Sequence, residues 1–182
     1  LNGGLLNLTN YLNIQSDQAI NGGGTIDVAA KSMAIPGGDF ASGDLIFKTA
    51  RIMKMTANLI NSNQIEFTGS SDNSDVEGKG FLWTFSNGGY IRVDSDHTLN
   101  IVNTTFHGLG LSASDGIFDI DTTSTINFQG CTFEMAGDYT LDKGTITFGE
   151  NCKIIPHGKR FNVSGTGQLI IDGNSLLYDP LD

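Results

Sequence analysis

The sequence predicts an all-β fold: a single-stranded parallel β-helix, a right-handed solenoid with coils of about 20 residues and loop insertions. Three observations predict it. The stretch TLNIVNTTF, from Thr98, returns as TINFQGCTF from Thr125, with apolar residues at the same offsets and different polar residues between them. Apolar and polar residues alternate over short runs, as in strands that bury one face. The 24 glycines against 3 prolines suit many tight turns, while no capped amphipathic stretch of helical length occurs.

The repeat follows a template with apolar residues at a start and at +2, +5 and +7. Leu6 and Leu8 begin it, and Ile26, Val28, Lys31 and Met33 continue it, with Lys31 a poor fit. Leu45, Phe47, Ala50 and Ile52 come next, then Ile65 and Phe67. After a long step come Leu99, Ile101, Thr104 and Phe106, then Ile126, Phe128, Cys131 and Phe133. Ile146, Phe148, Cys152 and Ile154 match with one extra residue, and Leu169, Ile171, Asn174 and Leu176 close the series. A second apolar pair precedes several starts: Ile91 and Val93, Phe118 and Ile120, Phe161 and Val163, and less clearly Ala57 and Leu59. The long step from Ile65 to Leu99 reads as a coil with a loop insertion over residues 69–90. So small a unit cannot close a core alone and must stack on its neighbours. An antiparallel sandwich also uses many short strands, but it needs hairpins rather than a unit that returns in register.

This pattern resembles right-handed parallel β-helix proteins of the pectin-lyase-like class, which include surface adhesins, autotransporter passengers and polysaccharide-degrading enzymes. GGGTI at Gly22 to Ile26 and FGEN at Phe148 to Asn151 faintly resemble motifs of polymorphic outer-membrane proteins, without the regular recurrence seen there. The resemblance implies an extracellular or cell-surface setting.

Composition narrows the partners. A formal net charge of −10 disfavours nucleic acid and anionic membranes, which reward basic residues. No apolar run approaches the ~20 residues of a membrane helix, so no membrane insertion of this segment is expected. The chain opens at Leu1 in mid-pattern, and residues 1–182 read as one β-helix domain cut from a longer protein. Its sheet edges at both ends would favour self-association.

Stacking turns outward positions into columns. Arg92 and Asp119 fall one coil apart, and Asp94 beside Asp121. The plainer reading is an exposed cross-strand pair. The resemblance gives the other: in β-helix lyases, clustered aspartates hold calcium against an acidic sugar while an Arg or Lys takes a proton. Arg92, Asp94, Asp119 and Asp121 are then the catalytic candidates. HGKR at His157 to Arg160 reads as a turn. Asn73, Asp75 and Glu77, with Gly78, match the first half of an EF-hand loop, but Thr84 replaces the closing Glu. They are the metal candidates, and calcium is the one cofactor the sequence suits.

Phe81, Trp83 and Phe85 share a strand face, with Tyr90 nearby. An exposed row would stack on sugar rings, making Trp83, Tyr90 and, in a following turn, Asp96 candidate ligand residues. A strand facing the core would bury the same row. Thr25, Thr98, Thr125 and Thr145 form an outward column explained by ordinary β-propensity. Cys131 and Cys152 occupy matching turns and suit free thiols or a disulfide, and N-x-S/T sequons stand at Asn7, Asn103 and Asn162. The functional expectation is a non-catalytic structural or adhesive segment binding glycan or a host or cell-surface protein. The rivals are a polysaccharide lyase or hydrolase acting on acidic glycans, and the stalk of a phage or viral tail spike.

Overall fold

A computed structural model describes residues 5–7, 24–27, 32–35, 38–39, 45–48, 52–69, 73–110 and 118–177. Every strand pairing among them is parallel, and each turn of the chain visits three sheets in order. The first sheet stacks Leu5–Asn7, Gly24–Asp27, Leu45–Lys48, Gln64–Thr68, Tyr90–Val93 and Phe118–Ile120. The second stacks Ser32–Ile35, Ile52–Met55, Ser74–Glu77, Thr98–Val102, Thr125–Gln129, Thr145–Phe148 and Gln168–Ile171. The third stacks Gly38–Asp39, Leu59–Asn61, Leu82–Phe85, Thr105–Leu109, Thr132–Met135, Lys153–Ile155 and Leu176–Leu177. Tyr139–Leu141 and Phe161–Val163 pair as a fourth, two-stranded sheet, following the third-sheet strands in the last coils. The chain is a parallel β-solenoid of about five turns, as the repeat predicts.

Period-2 alternation is why these residues make strands that wrap a core. Gln64–Thr68, Thr98–Val102 and Leu82–Phe85 each alternate half-buried and buried positions. The inward side chains stack on their counterparts one coil away. Phe106 lies over Trp83 at 5.7 Å and under Phe133 at 5.2 Å, the latter pair 11° from parallel. Phe47 with Phe67 and Phe128 with Phe148 repeat the arrangement in the first and second sheets. Aromatic pairs at such separations add about 0.5–1.5 kcal/mol beyond their burial.

The opening repeat is in register as written: Thr98 pairs Thr125, Leu99 pairs Ile126 and Ile101 pairs Phe128. Elsewhere the template slips. Ile26, Leu45 and Ile65 lie on the first sheet, whereas Leu99, Ile126, Ile146 and Leu169 lie on the second. Ile26 pairs Phe47, not Leu45. The loop insertion over residues 69–90 is corrected accordingly: Ser74–Glu77, Leu82–Phe85 and Tyr90 belong to regular strands of the second, third and first sheets. The long step is one whole coil plus one strand. All three strands of a coil share the same alternation, so a template built on alternation cannot tell one sheet from another. Coil length varies too: Leu45, Ile65, Ile91 and Phe118 stack at steps of 20, 26 and 27 residues. Leu8, Val28, Lys31, Ala50 and residues 70–72 lie outside the described residues.

The corners hold the coils apart from the sheets. Between the second and third sheets, Asn103, Gly130 and Asn151 all adopt positive φ, near 52°, 61° and 60°. Asn tolerates this region better than other side chains, and glycine adopts it freely. At the corner between the first and second sheets, buried His97 ties three coils together. Its Nδ1 lies 3.1 Å from the Gly69 carbonyl and its Nε2 2.9 Å from Ser74 Oγ, while its backbone N–H donates to Ser124 Oγ. A carbonyl only accepts, so Nδ1 carries a proton and donates to Gly69, while Nε2 and the Ser74 hydroxyl share a second hydrogen bond.

Candidate functional site

The sequence-derived cluster lies on the outward face of the first sheet, where Arg92 pairs with Glu66 on one side and Asp119 on the other. Arg92 Nη1 donates to Asp119 Oδ2 at 2.7 Å, and Lys143 Nζ, from the following coil, reaches Asp119 Oδ1 at 3.1 Å. One carboxylate thus bridges two cations. Glu66 extends the row, accepting from Gln64 Nε2, whose Oε1 accepts the Tyr90 hydroxyl. Burial of the Arg92 guanidinium opposes its charge, but Asp119, Glu66 and Asp94 outweigh that and raise its pKa. The guanidinium that a lyase would turn to its substrate is engaged by Asp119.

Asp94 and Asp121 follow Val93 and Ile120, which are paired, so they stand in successive coils. Asp94 Oδ2 accepts from Thr68 Oγ1 at 3.0 Å, and the Asp94 carbonyl accepts from Ser124 Oγ. The Asp121 backbone N–H donates to Val93 and its carbonyl closes a turn to Ser124. Asp96 is exposed in the turn with φ near 59°, and its N–H donates to Thr123 Oγ1. The four catalytic candidates are therefore neighbours, as the stacking predicts. Glu66 and Lys143 belong to the same row and are absent from the sequence reading. Lys143 escapes it because it sits in a turn with no apolar marker.

Two other sets are corrected. Trp83 is 0% exposed and sits inside the aromatic stack, so it presents no ring to a ligand. Tyr90 is half-buried with its hydroxyl engaged by Gln64. The alternation that buries Phe85 also buries Trp83, since both occupy the inward face of one strand. The EF-hand-like residues do not form a loop. Asp75 and Glu77 lie on the strand Ser74–Glu77, pointing outward either side of buried Val76, with Asn73 immediately before it. Alternate residues on a strand are about 6.6 Å apart, so these side chains form an extended row and not the turn of an EF-hand loop. Asp75 Oδ1 accepts from Asn100 Nδ2 at 2.7 Å, and Glu77 pairs with Lys54 at 3.3 Å. Among the described residues no three His, Cys, Asp or Glu side chains are grouped to hold a metal.

The remaining outward faces repeat the theme of pairing along the stack. Asn127 Nδ2 donates to Asn100 Oδ1, continuing the ladder from Asp75, and His107 Nε2 lies 2.8 Å from Glu134 on the third sheet. Thr98, Thr125 and Thr145 do stack on the second sheet, but Thr25 lies on the first. Cys131 and Cys152 are both buried and both free. Burial pushes the Cys131 thiol up to about 12 and raises Cys152 as well. His157 and Gly158 form an exposed turn, both at positive φ.

Comparison with protein-family models, curated proteins and solved structures returns no match.

Proposed function

We propose that this chain is a non-catalytic structural or adhesive β-solenoid segment of a secreted or cell-surface protein, presenting its outward faces to glycan or to another surface molecule. The observation that carries the reading is the state of Arg92. Its guanidinium is clamped to Asp119 at 2.7 Å and lies between Glu66 and Asp119 on the neighbouring strands, so it is engaged by the stack rather than turned to a substrate. The rungs Lys54–Glu77, Asp75–Asn100–Asn127 and Glu134–His107 likewise serve the stack itself. We read the coil as right-handed and of the pectin-lyase-like kind, since parallel crossovers take that hand in about 98% of cases. Ile170 and Ile171 are exposed on the last described strand of the second sheet, which supports end-to-end association with a further coil or a second copy.

The test is the size distribution of a panel of acidic and neutral polysaccharides after incubation with the protein, with and without Ca²⁺. Unchanged chains are expected throughout. Shortening of any member, lost on Arg92→Ala, would establish the lyase or hydrolase instead. A stable trimer by light scattering would favour the tail-spike stalk.

A further inference from the structure

Two depressions meet on the outward face of the second sheet, where it turns into the third. One, of about 350 Å³, is lined by Asn100, Asn127, Thr147, Gly149, Glu150 and Asp172 together with Val102 and Gln129. The other, of about 490 Å³, also has Val102 and Gln129 in its wall, and reaches Asn103, Gly130 and Asn151 at the corner. The shared wall makes them one trough.

Register explains the trough. Val102, Gln129, Gly149 and Asp172 occupy the same level of four successive coils, because Val102 pairs Gln129 and the Gly149 and Asp172 N–H groups donate to Phe128 and Phe148. Gly149 has no side chain, so a gap opens between Gln129 and Asp172. A Cβ there would approach the Phe128 carbonyl oxygen at 2.9 Å, closer than packed atoms tolerate. The gap is therefore built into the backbone.

The polar groups of the lining are amides, a hydroxyl and two carboxylates, set beside apolar Val102 and Phe128, with no Lys, Arg or His among its residues. Asn100 and Asn127 engage each other along the ladder, which leaves Asn127 Oδ1 and the second N–H of each amide for a ligand. Gln129, Thr147, Glu150 and Asp172 make no side-chain hydrogen bond among the described residues. Amides both donate and accept, and carboxylates accept from hydroxyls, so the trough matches a ligand dense in neutral hydroxyl groups. An acidic glycan would face Glu150 and Asp172 with no cation in the wall. Coils repeat at about 4.8 Å, close to the advance of one sugar residue along an extended chain, so successive rings would meet successive coils. Val102 supplies an apolar spot for a ring's C–H face.

We propose that this trough binds a neutral glycan chain laid along the solenoid axis. The proposal rests on reading the segment as a non-catalytic binding scaffold, and names the site and the ligand class for it.

The experiment is an NMR titration of isotope-labelled protein with neutral xylo-, manno- and cello-hexasaccharides and with oligogalacturonate, each oligosaccharide being sized afterwards. At least one neutral hexasaccharide should give saturable shifts confined to residues around Asn127, Gln129 and Gly149, and oligogalacturonate none. Gln129→Ala should weaken binding about fivefold, and Thr147→Arg, which fills the trough, should abolish it, with the spectrum elsewhere unchanged in both. Absence of binding across the neutral panel, preference for oligogalacturonate, or binding indifferent to both substitutions would overturn the proposal. Cleavage of a hexasaccharide whose shifts map to the trough would overturn the non-catalytic reading and still support this site.

Discussion

Arg92 and Asp119, 27 residues apart in the chain, lie in register on neighbouring strands with 2.7 Å between Nη1 and Oδ2. Their side chains remain 35% and 24% exposed, so solvent screens the pair and its contribution is modest. Arg92→Ala should cost about 0.5–1 kcal/mol in urea unfolding. Asp119→Ala should cost more, because it leaves both Arg92 and Lys143 without their carboxylate, and added salt should narrow the difference. A loss above about 3 kcal/mol for Arg92→Ala would mean a buried structural ion pair rather than a surface rung.

Trp83 is the chain's one tryptophan, and its ring is enclosed by Phe85 and Phe106. Its fluorescence should be blue-shifted and resist quenching by iodide until the protein unfolds. Trp83→Ala should destabilise by about 3–5 kcal/mol through the cavity it leaves. Efficient quenching in the folded state, or by an added oligosaccharide, would place the ring at the surface and contradict the stack.

The buried thiols set an alkaline limit. Cys131 is raised from 9.0 to about 12 by burial, and the buried Tyr139 hydroxyl, which donates to the Phe118 carbonyl, is raised as well. The folded state thus binds these protons more tightly than the unfolded chain does. The Cys131 share is full below pH 9.0 and is lost as pH climbs towards about 12, since the unfolded chain ionises first, and the Tyr139 share begins to be lost only above pH 10.0. Unfolding free energy should fall across that window. Cys131→Ser tests the thiol's share, and should flatten the fall although it lowers stability at neutral pH. A thiol reagent should find no reactive cysteine at pH 8 without denaturant, and rapid labelling of the native protein would contradict the burial.

His97→Ala should cost about 2–4 kcal/mol, because it leaves a cavity and strips buried Ser74 and the Gly69 carbonyl of partners. Hydrogen exchange should accelerate first at the corner between the first two sheets. A uniform change across all three sheets would mean that His97 does not tie the coils locally.

The stack was legible in the sequence wherever two neighbouring coils differ little in length and share side-chain types, as Thr98–Val102 and Thr125–Gln129 do. Arg92 over Asp119 could be read for the same reason, from apolar neighbours at matching offsets. The phase was lost between Ile65 and Leu99 because nothing in period-2 alternation labels which sheet a strand joins. Asp75 and Glu77 consequently read as loop ligands, while Trp83 stayed open between an exposed ring and a core one, and the structure settles it as core. The trough was not legible because its defining residue, Gly149, acts through a missing side chain. The matched Asn100 and Asn127 were a readable sign of an amide face.

The fold, the Arg92 row and the trough all depend on which residues stack, and paired nitroxide labels measure that directly. Thr98 and Thr125 are half-exposed and in register on the second sheet, at the ~4.8 Å interstrand spacing. Thr98→Cys with Thr125→Cys should give an EPR spectrum strongly broadened by dipolar and exchange coupling, while each single variant stays narrow. A doubly labelled spectrum equal to the sum of the two singles would mean that these coils do not stack in this register.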